Sequence, residues 1–285
     1  MPAAARGGPG RETGAARRPS GAGAWFLVAL GAGLTLLLVA MPLVLIFAQA
    51  LRRGWGAYLT AVAEPDTLSA IGLTVLVVLV TVPLNMLFGL AAAWALAKFR
   101  FRGKRLLTTL IELPFSVSPI VAGVIYVLLY GAQGYLGPWL AEWDIRIIFS
   151  IPGIILVTMF VTSPLVVREI LPLMQAQGTD EEESAHILGA SAWQMFRRVT
   201  LPNIKWALLY GTILCTARAV GEFGSVSVVS GNVRGETNTL PLQIELLYND
   251  YNAVGAFAAA TILAMLSLVT LVVKAIVERR AAAAR

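Results

Sequence analysis

Apolar residues fill this chain in long blocks separated by short polar breaks. A helix that crosses a hydrocarbon core of about 30 Å needs about 20 apolar residues. Six stretches reach that length, roughly 24–50, 69–97, 107–131, 151–171, 206–230 and 253–277. The pattern predicts an all-α integral membrane protein with about six transmembrane helices. Pro83, Pro114, Pro119 and Pro164 fall inside these stretches, which membrane helices tolerate when neighbours re-satisfy the freed backbone groups. The third stretch is the most interrupted, with Glu112 early in it and two prolines. The first has a basic leader and an A-x-A-like site at Ala48-Gln49-Ala50. Its apolar run far exceeds the roughly 7–15 residues of a secretory signal, so a retained helix is expected. Residues 1–20, rich in Gly, Ala, Pro and Arg, read as a disordered basic tail.

Composition narrows the class. Hydrophobic residues make up 58% of the 285 residues and charged ones 13%, against about 25% charge in a soluble domain. That excludes a water-soluble single domain and a disordered chain. Cys215 is the only cysteine and His186 the only histidine, so neither a disulfide scaffold nor a zinc site of standard ligand count is expected.

The net charge of +6 changes the picture once its placement is read. With the N-terminus inside, seventeen of the 22 Lys and Arg fall in internal segments or, as Arg168 and Lys274, at the inner ends of their stretches, four fall in external segments, and Arg218 lies inside the fifth stretch. Basic residues favour the cytoplasmic side, so both termini are expected there. Topology and anionic lipid account for the excess, and nucleic acid is not expected as a partner.

The longest internal loop covers about residues 172–205. Thr179 or Asp180 is placed to cap a helix, and the acidic run Asp180–Glu183 suits the positive end of its dipole. Ala185, Leu188, Ala192, Phe196 and Val199 follow at helical spacing and predict one apolar stripe. Gly189 permits a sharp turn between two short helices, and Pro202 is expected to stop the second. Two readings fit: a stripe on the bilayer surface, with Arg197, Arg198 and Lys205 at headgroups, or a docking helix for a soluble partner. In the second, the small Ser184 and Ala185 allow close approach and Phe196 anchors the contact.

The fifth stretch carries Arg218 and Glu222, one helical turn apart. Charges at this depth are costly, so the two are expected to pair and face inward. They serve either as a structural ion pair or as part of a translocation pathway. Gly221, Gly224 and Gly231 permit close packing or local unwinding, and Ser225, Ser227 and Ser230 could offer neutral donors to an oxyanion. After it comes a loop with Arg234, Gly235, Glu236 and Thr237, and Thr239 with Pro241 predicts a short helix start.

Glu183-Ser184-Ala185, then Gly189, then Val199-x-Leu201-Pro202 resembles the E-A-A-x3-G-x9-I-x-L-P loop of membrane subunits of type I ABC importers. Ser184 and Val199 replace the usual Ala and Ile. The resemblance implies a coupling helix inserted into a cleft of a separate ATPase, with Glu183, Ser184, Ala185, Gly189, Phe196, Leu201 and Pro202 at the contact. Gly221-Glu222-Phe223-Gly224, followed by Gly231-x-x-Arg234-Gly235-Glu236-Thr237 and Leu240-Pro241-Leu242, is similar to the sulfate/thiosulfate permease branch, to its W-type rather than T-type subunit. The related molybdate permeases share part of this pattern.

The resemblance covers roughly residues 67–275. It implies a permease domain over 67–277, after a first helix and external loop over 21–66 and before a cytoplasmic tail over 278–285. It also implies a bacterial inner-membrane complex with a T-type sister permease, two ATPase subunits and a periplasmic sulfate-binding protein. Arg218, Gly221, Glu222, Gly224, Ser225 and Ser227 would lie along the pathway. No G-x4-G-K-[ST] phosphate loop occurs in the sequence. ATP and Mg are therefore expected on the partner ATPase, with no cofactor, metal or catalytic residue on this chain. An ion-gradient-driven secondary transporter is the rival class; it would favour inverted repeats and several buried acids.

Overall fold

Glycines and hydroxyl-bearing residues stand among the leucines and valines on the faces where these helices meet. The computed structural model describes residues 22–283. The expected tail over residues 1–20, and Arg285, lie outside the described residues. Helix is the sole regular structure among the described residues. The chain divides after Leu45 into two units. The described part of the first is helix α1 (Ala22–Ala50) as far as Leu45, with Trp25, Leu36 and Val39 exposed.

The second unit begins at Ile46. Helix α2 (Gly54–Val62) lies where the sequence suggested an external loop, and its Tyr58 hydroxyl is 3.1 Å from Thr261 Oγ1. Helix α3 (Pro65–Lys98) is 34 residues long, about 50 Å at 1.5 Å per residue. It starts four residues before the predicted stretch, with Pro65 at its first position and Asp66 in its first turn, both favoured there. Its buried face runs Thr67, Ala70, Leu73, Thr74, Val77, Thr81, Val82, Asn85, Gly89, Ala93, Leu96. The helix is apolar nearly all round, so small and polar residues at helical spacing distinguish its protein face from its exposed one.

The third predicted stretch is not one helix. Helices α4 (Lys104–Ser116) and α5 (Pro119–Tyr130) meet at 113°. Pro119 disfavours helical backbone at the preceding residue, and Ser118 is extended at φ −58°, ψ 138°. A short helix α6 (Gly137–Glu142) leads to α7 (Ile151–Gln177), which runs six residues beyond the predicted end. Next come α8 (Asp180–Ile187), α9 (Ala192–Met195), a π-helical turn (Phe196–Thr200), α10 (Leu201–Val220) and α11 (Gly224–Val229). Helices α12 (Leu240–Asn249) and α13 (Ala253–Ala283) follow.

Among the described residues, α1, α3, α7 and α13 are long and apolar enough to span a bilayer, and the bent α4–α5 pair would make a fifth. The predicted fifth stretch, residues 206–230, is divided between α10 and α11 by a break at Gly221–Phe223.

Helices α3, α7 and α10 form the centre of this unit. A Cβ built at Gly89 would lie 2.6 Å from Val166 Cβ, and one at Gly211 would lie 3.1 Å from Val166 Cα. Val166 thus sits between two glycines on opposite neighbours, and close approach of this kind drives helix association in lipid. Ile170, Met174, Ile204, Leu96 and Cys215 extend the same core. Asn85 supplies polar glue: its amide donates to Thr162 Oγ1 at 2.7 Å and to the Met159 carbonyl at 3.2 Å.

Candidate functional site

Two regions carry the residues singled out by sequence, and α10 connects them. The first is the elbow from Gly178 to Pro202. Gly178 ends α7 at φ +67°, and Gly189 turns the chain between α8 and α9 at φ +84°. A Cβ at either would meet nothing within 4 Å, so backbone conformation and not crowding makes glycine the suitable residue. The capping expected from Thr179 is absent. Its hydroxyl instead donates to Glu183 Oε1 at 2.6 Å. Ser191 caps α9 in a reciprocal box with Gln194.

The predicted apolar stripe does not form one face. Gly189 breaks it, leaving Leu188 87% exposed. Phe196 does not stand in the open as an anchor; its ring lies 5.5 Å from Trp94 of α3 and 5.7 Å from Trp193. The residues that do project are Ile187, Leu188 and Trp193. Ser184 is exposed and Ala185 half-buried. Nor does Pro202 stop a helix. It sits in the first turn of α10, and the π turn just before it widens the helix where its missing N–H would interrupt the hydrogen-bond ladder. Leu201 is half-buried at the same junction.

A polar network absent from the sequence reading fastens the elbow. Lys98, the last residue of α3, donates to the Gly178 carbonyl at 2.5 Å and lies 3.1 Å from Glu182 Oε2. Thr200 donates to Glu182 Oε1 at 2.7 Å, and Asn203 to Glu181 Oε2 at 2.5 Å. The acidic run was legible only as a helix start; its partners lie 18 to more than 80 residues away.

The second region is the far end of α10. Arg218 Nη1 lies 2.5 Å from Glu222 Oε2, as the spacing suggested, but not across a continuous helical turn. α10 ends at Val220, and the pair bridges the break. Glu222 is buried, and its Oε1 accepts the Ser225 backbone N–H at 3.1 Å and the Ser225 hydroxyl at 2.7 Å. The carboxylate therefore caps the start of α11, where negative charge is favoured. Oε2 has no aligned hydrogen-bond donor and is held by the guanidinium charge alone.

The hydroxyls expected to serve an oxyanion are engaged within the chain, Ser225 on Glu222 and Ser227 on the Gly224 carbonyl. Arg218 keeps 39% of its side chain exposed, which leaves guanidinium donors open to a ligand. Gly221 is exposed, whereas a Cβ at Gly224 would press on Pro119 at 3.2 Å. Beside Glu222, Thr74, Thr158 and Thr239 line a crevice of about 10 Å³, about the volume one water needs.

The following loop is only partly open. Arg234 pairs with Asp250 at 2.5 Å, Gly235 turns at φ +76°, and Glu236 is exposed. Thr237 is buried and accepts the Val233 N–H at 3.1 Å. From there to Gln243 every residue is buried, and Thr74 accepts the Leu240 N–H at 2.8 Å. Among the described residues, no three His, Cys, Asp or Glu side chains are grouped to hold a metal.

A broken-helix membrane fold with a glycine-bent elbow is that of an ABC importer permease. The chain belongs to the family described as binding-protein-dependent transport system inner membrane component, whose model matches residues 85–283. It is a multi-pass membrane protein. It is 53% identical over 263 residues to the sulfate transport system permease protein CysW of Escherichia coli (strain K12), covering 92% of this chain and 90% of that protein. It is 34% identical to the CysT permease protein of the same organism, covering 86% of this chain and 90% of that one. Among solved structures it shares the fold of a bacterial alginate ABC transporter crystallised with a pentasaccharide-bound periplasmic protein. That match has a TM-score of 0.71 at 19% identity, over 90% of this chain and 94% of the other.

Proposed function

We propose that this chain is the W-type membrane subunit of an ATP-driven sulfate importer in a bacterial inner membrane, with both termini in the cytoplasm. The observation that carries the reading is the 53% identity, across nearly the whole of both chains, to a protein named as a sulfate transport permease. A T-type sister permease completes the pathway, two ATPase subunits bind ATP and Mg, and a periplasmic protein delivers the anion. The chain itself binds no cofactor and catalyses no reaction.

In this reading the α8–α9 elbow enters a cleft of the ATPase, and Ile187, Leu188 and Trp193 form the apolar contact. Glu183 stands at the elbow's first turn with its carboxylate held by Thr179. At the other end of α10, Arg218 presents guanidinium donors to the passing oxyanion. Glu222 balances that charge so the ion is not trapped, because conduction requires binding weak enough to release. The break after Val220 places the pair at the end of α10.

The test is uptake of radiolabelled sulfate by proteoliposomes containing the assembled complex. Uptake should require ATP, the ATPase and the binding protein. Uptake driven by a proton or sodium gradient alone would overturn the importer reading. Uptake of molybdate but not sulfate would overturn the substrate.

A further inference from the structure

We infer that Lys98 is a positioning residue that straps the elbow to α3, so that motion imposed on α8 reaches α3 and α10 rather than dissipating at Gly178. The inference rests on the coupling role proposed for the elbow, and it adds to that role a residue outside the loop.

The backbone alone does not hold α8. Its two connections pass through Gly178 and Gly189, both at positive φ with open space around them. Side chains supply the attachment, Lys98 and Thr200 on Glu182 and Asn203 on Glu181, and of these Lys98 alone reaches α3. Its ammonium sits where two long helices end, α3 at Lys98 itself and α7 at the Gly178 carbonyl. Both ends carry partial negative charge that a cation neutralises. Glu182, in the first turn of α8 at the opposite dipole end, completes the pair at 3.1 Å.

Exposed ion pairs contribute little, but these side chains are only 10% and 14% exposed. Thr200 then passes the Glu182 carboxylate on to the start of α10. One ammonium thereby links the ends of α3 and α7 to α8 and, through Glu182, to α10. A role limited to neutralising helix ends would need the Gly178 contact but not Glu182.

The experiment compares Lys98→Met and Lys98→Arg in the complex assembled with the sister permease, ATPase and binding protein. It measures sulfate moved per ATP hydrolysed. Lys98→Met should assemble and hydrolyse ATP while sulfate per ATP falls on the order of tenfold. Lys98→Arg, which keeps the charge, should restore most of the ratio. A Lys98→Met complex with the unaltered ratio overturns the inference. One that no longer assembles also overturns it, since the residue then maintains the fold instead of conveying motion. Failure of the unsubstituted complex to move sulfate counts against the substrate reading, not against Lys98.

Discussion

Gly89 of α3 and Val166 of α7 are in contact at a separation that leaves no room for a methyl group. An ideal Cβ on Gly89 would fall 2.6 Å from both Cβ and Cγ1 of Val166. Gly89→Ala is therefore expected to destabilise the protein by about 1–3 kcal/mol through overpacking. Adding Val166→Ala should recover part of that loss. Thermal aggregation of the detergent-extracted protein measures both, and an unaffected Gly89→Ala variant would contradict the packing described.

At the break after α10, stability should depend on charge balance more than on either residue alone. Arg218→Ala strands a buried carboxylate and should cost roughly 3 kcal/mol, the lower end for a buried pair because water reaches the guanidinium. Arg218→Ala with Glu222→Gln removes both charges and keeps an amide oxygen to cap α11. The double variant should be the more stable of the two, and both should transport sulfate poorly. Equal stability of single and double variants would show that the unpaired carboxylate carries no electrostatic penalty.

Gly189 separates backbone strain from side-chain bulk. Space at the turn is open, but its positive φ costs an ordinary residue about 1–2 kcal/mol. Gly189→Asn, which tolerates that region, should keep most transport, whereas Gly189→Val should lose it while still inserting. The check is uptake normalised to membrane-inserted protein. Equal uptake by the two variants would remove the conformational argument.

Ile187 and Trp193 project from the elbow, 85% and 68% exposed. Trp193→Ala should weaken ATPase binding by about 2 kcal/mol, as burying an aromatic anchor implies, and Ile187→Asp should do so with insertion unchanged. Co-purification of the ATPase with the permease reads the effect. Tight co-purification of both variants would place the contact elsewhere.

How far the sequence could be read depended on the range of the interactions. Span-length apolar runs identified α1, α3, α7 and α13 because that signal is local. The 113° bend before Pro119 was foreshadowed by two prolines; the close packing of α5 on α11 at Gly123, where a Cβ would lie 2.8 Å from the Ser225 carbonyl, was not. The pairing of Arg218 with Glu222 was visible from spacing. The break between them was not, because capping of α11 by Glu222 resembles ordinary i to i+4 pairing in one dimension. The sequence suggests Phe196 as an open anchor because its partner Trp94 lies about a hundred positions earlier. Lys98 was read only as one more inside-facing charge, for the same reason.

α10 spans 20 residues between Thr200 and Gly221, about 30 Å of hydrogen-bonded rod. One extremity is tethered to carboxylates of α8 and the other stops at an arginine. A stiff strut of that length relays displacement without any relay of rearranging side chains between its ends. In the proposed importer, a nudge at the nucleotide side would reach the permeant ion as a shift in where its counter-charge stands.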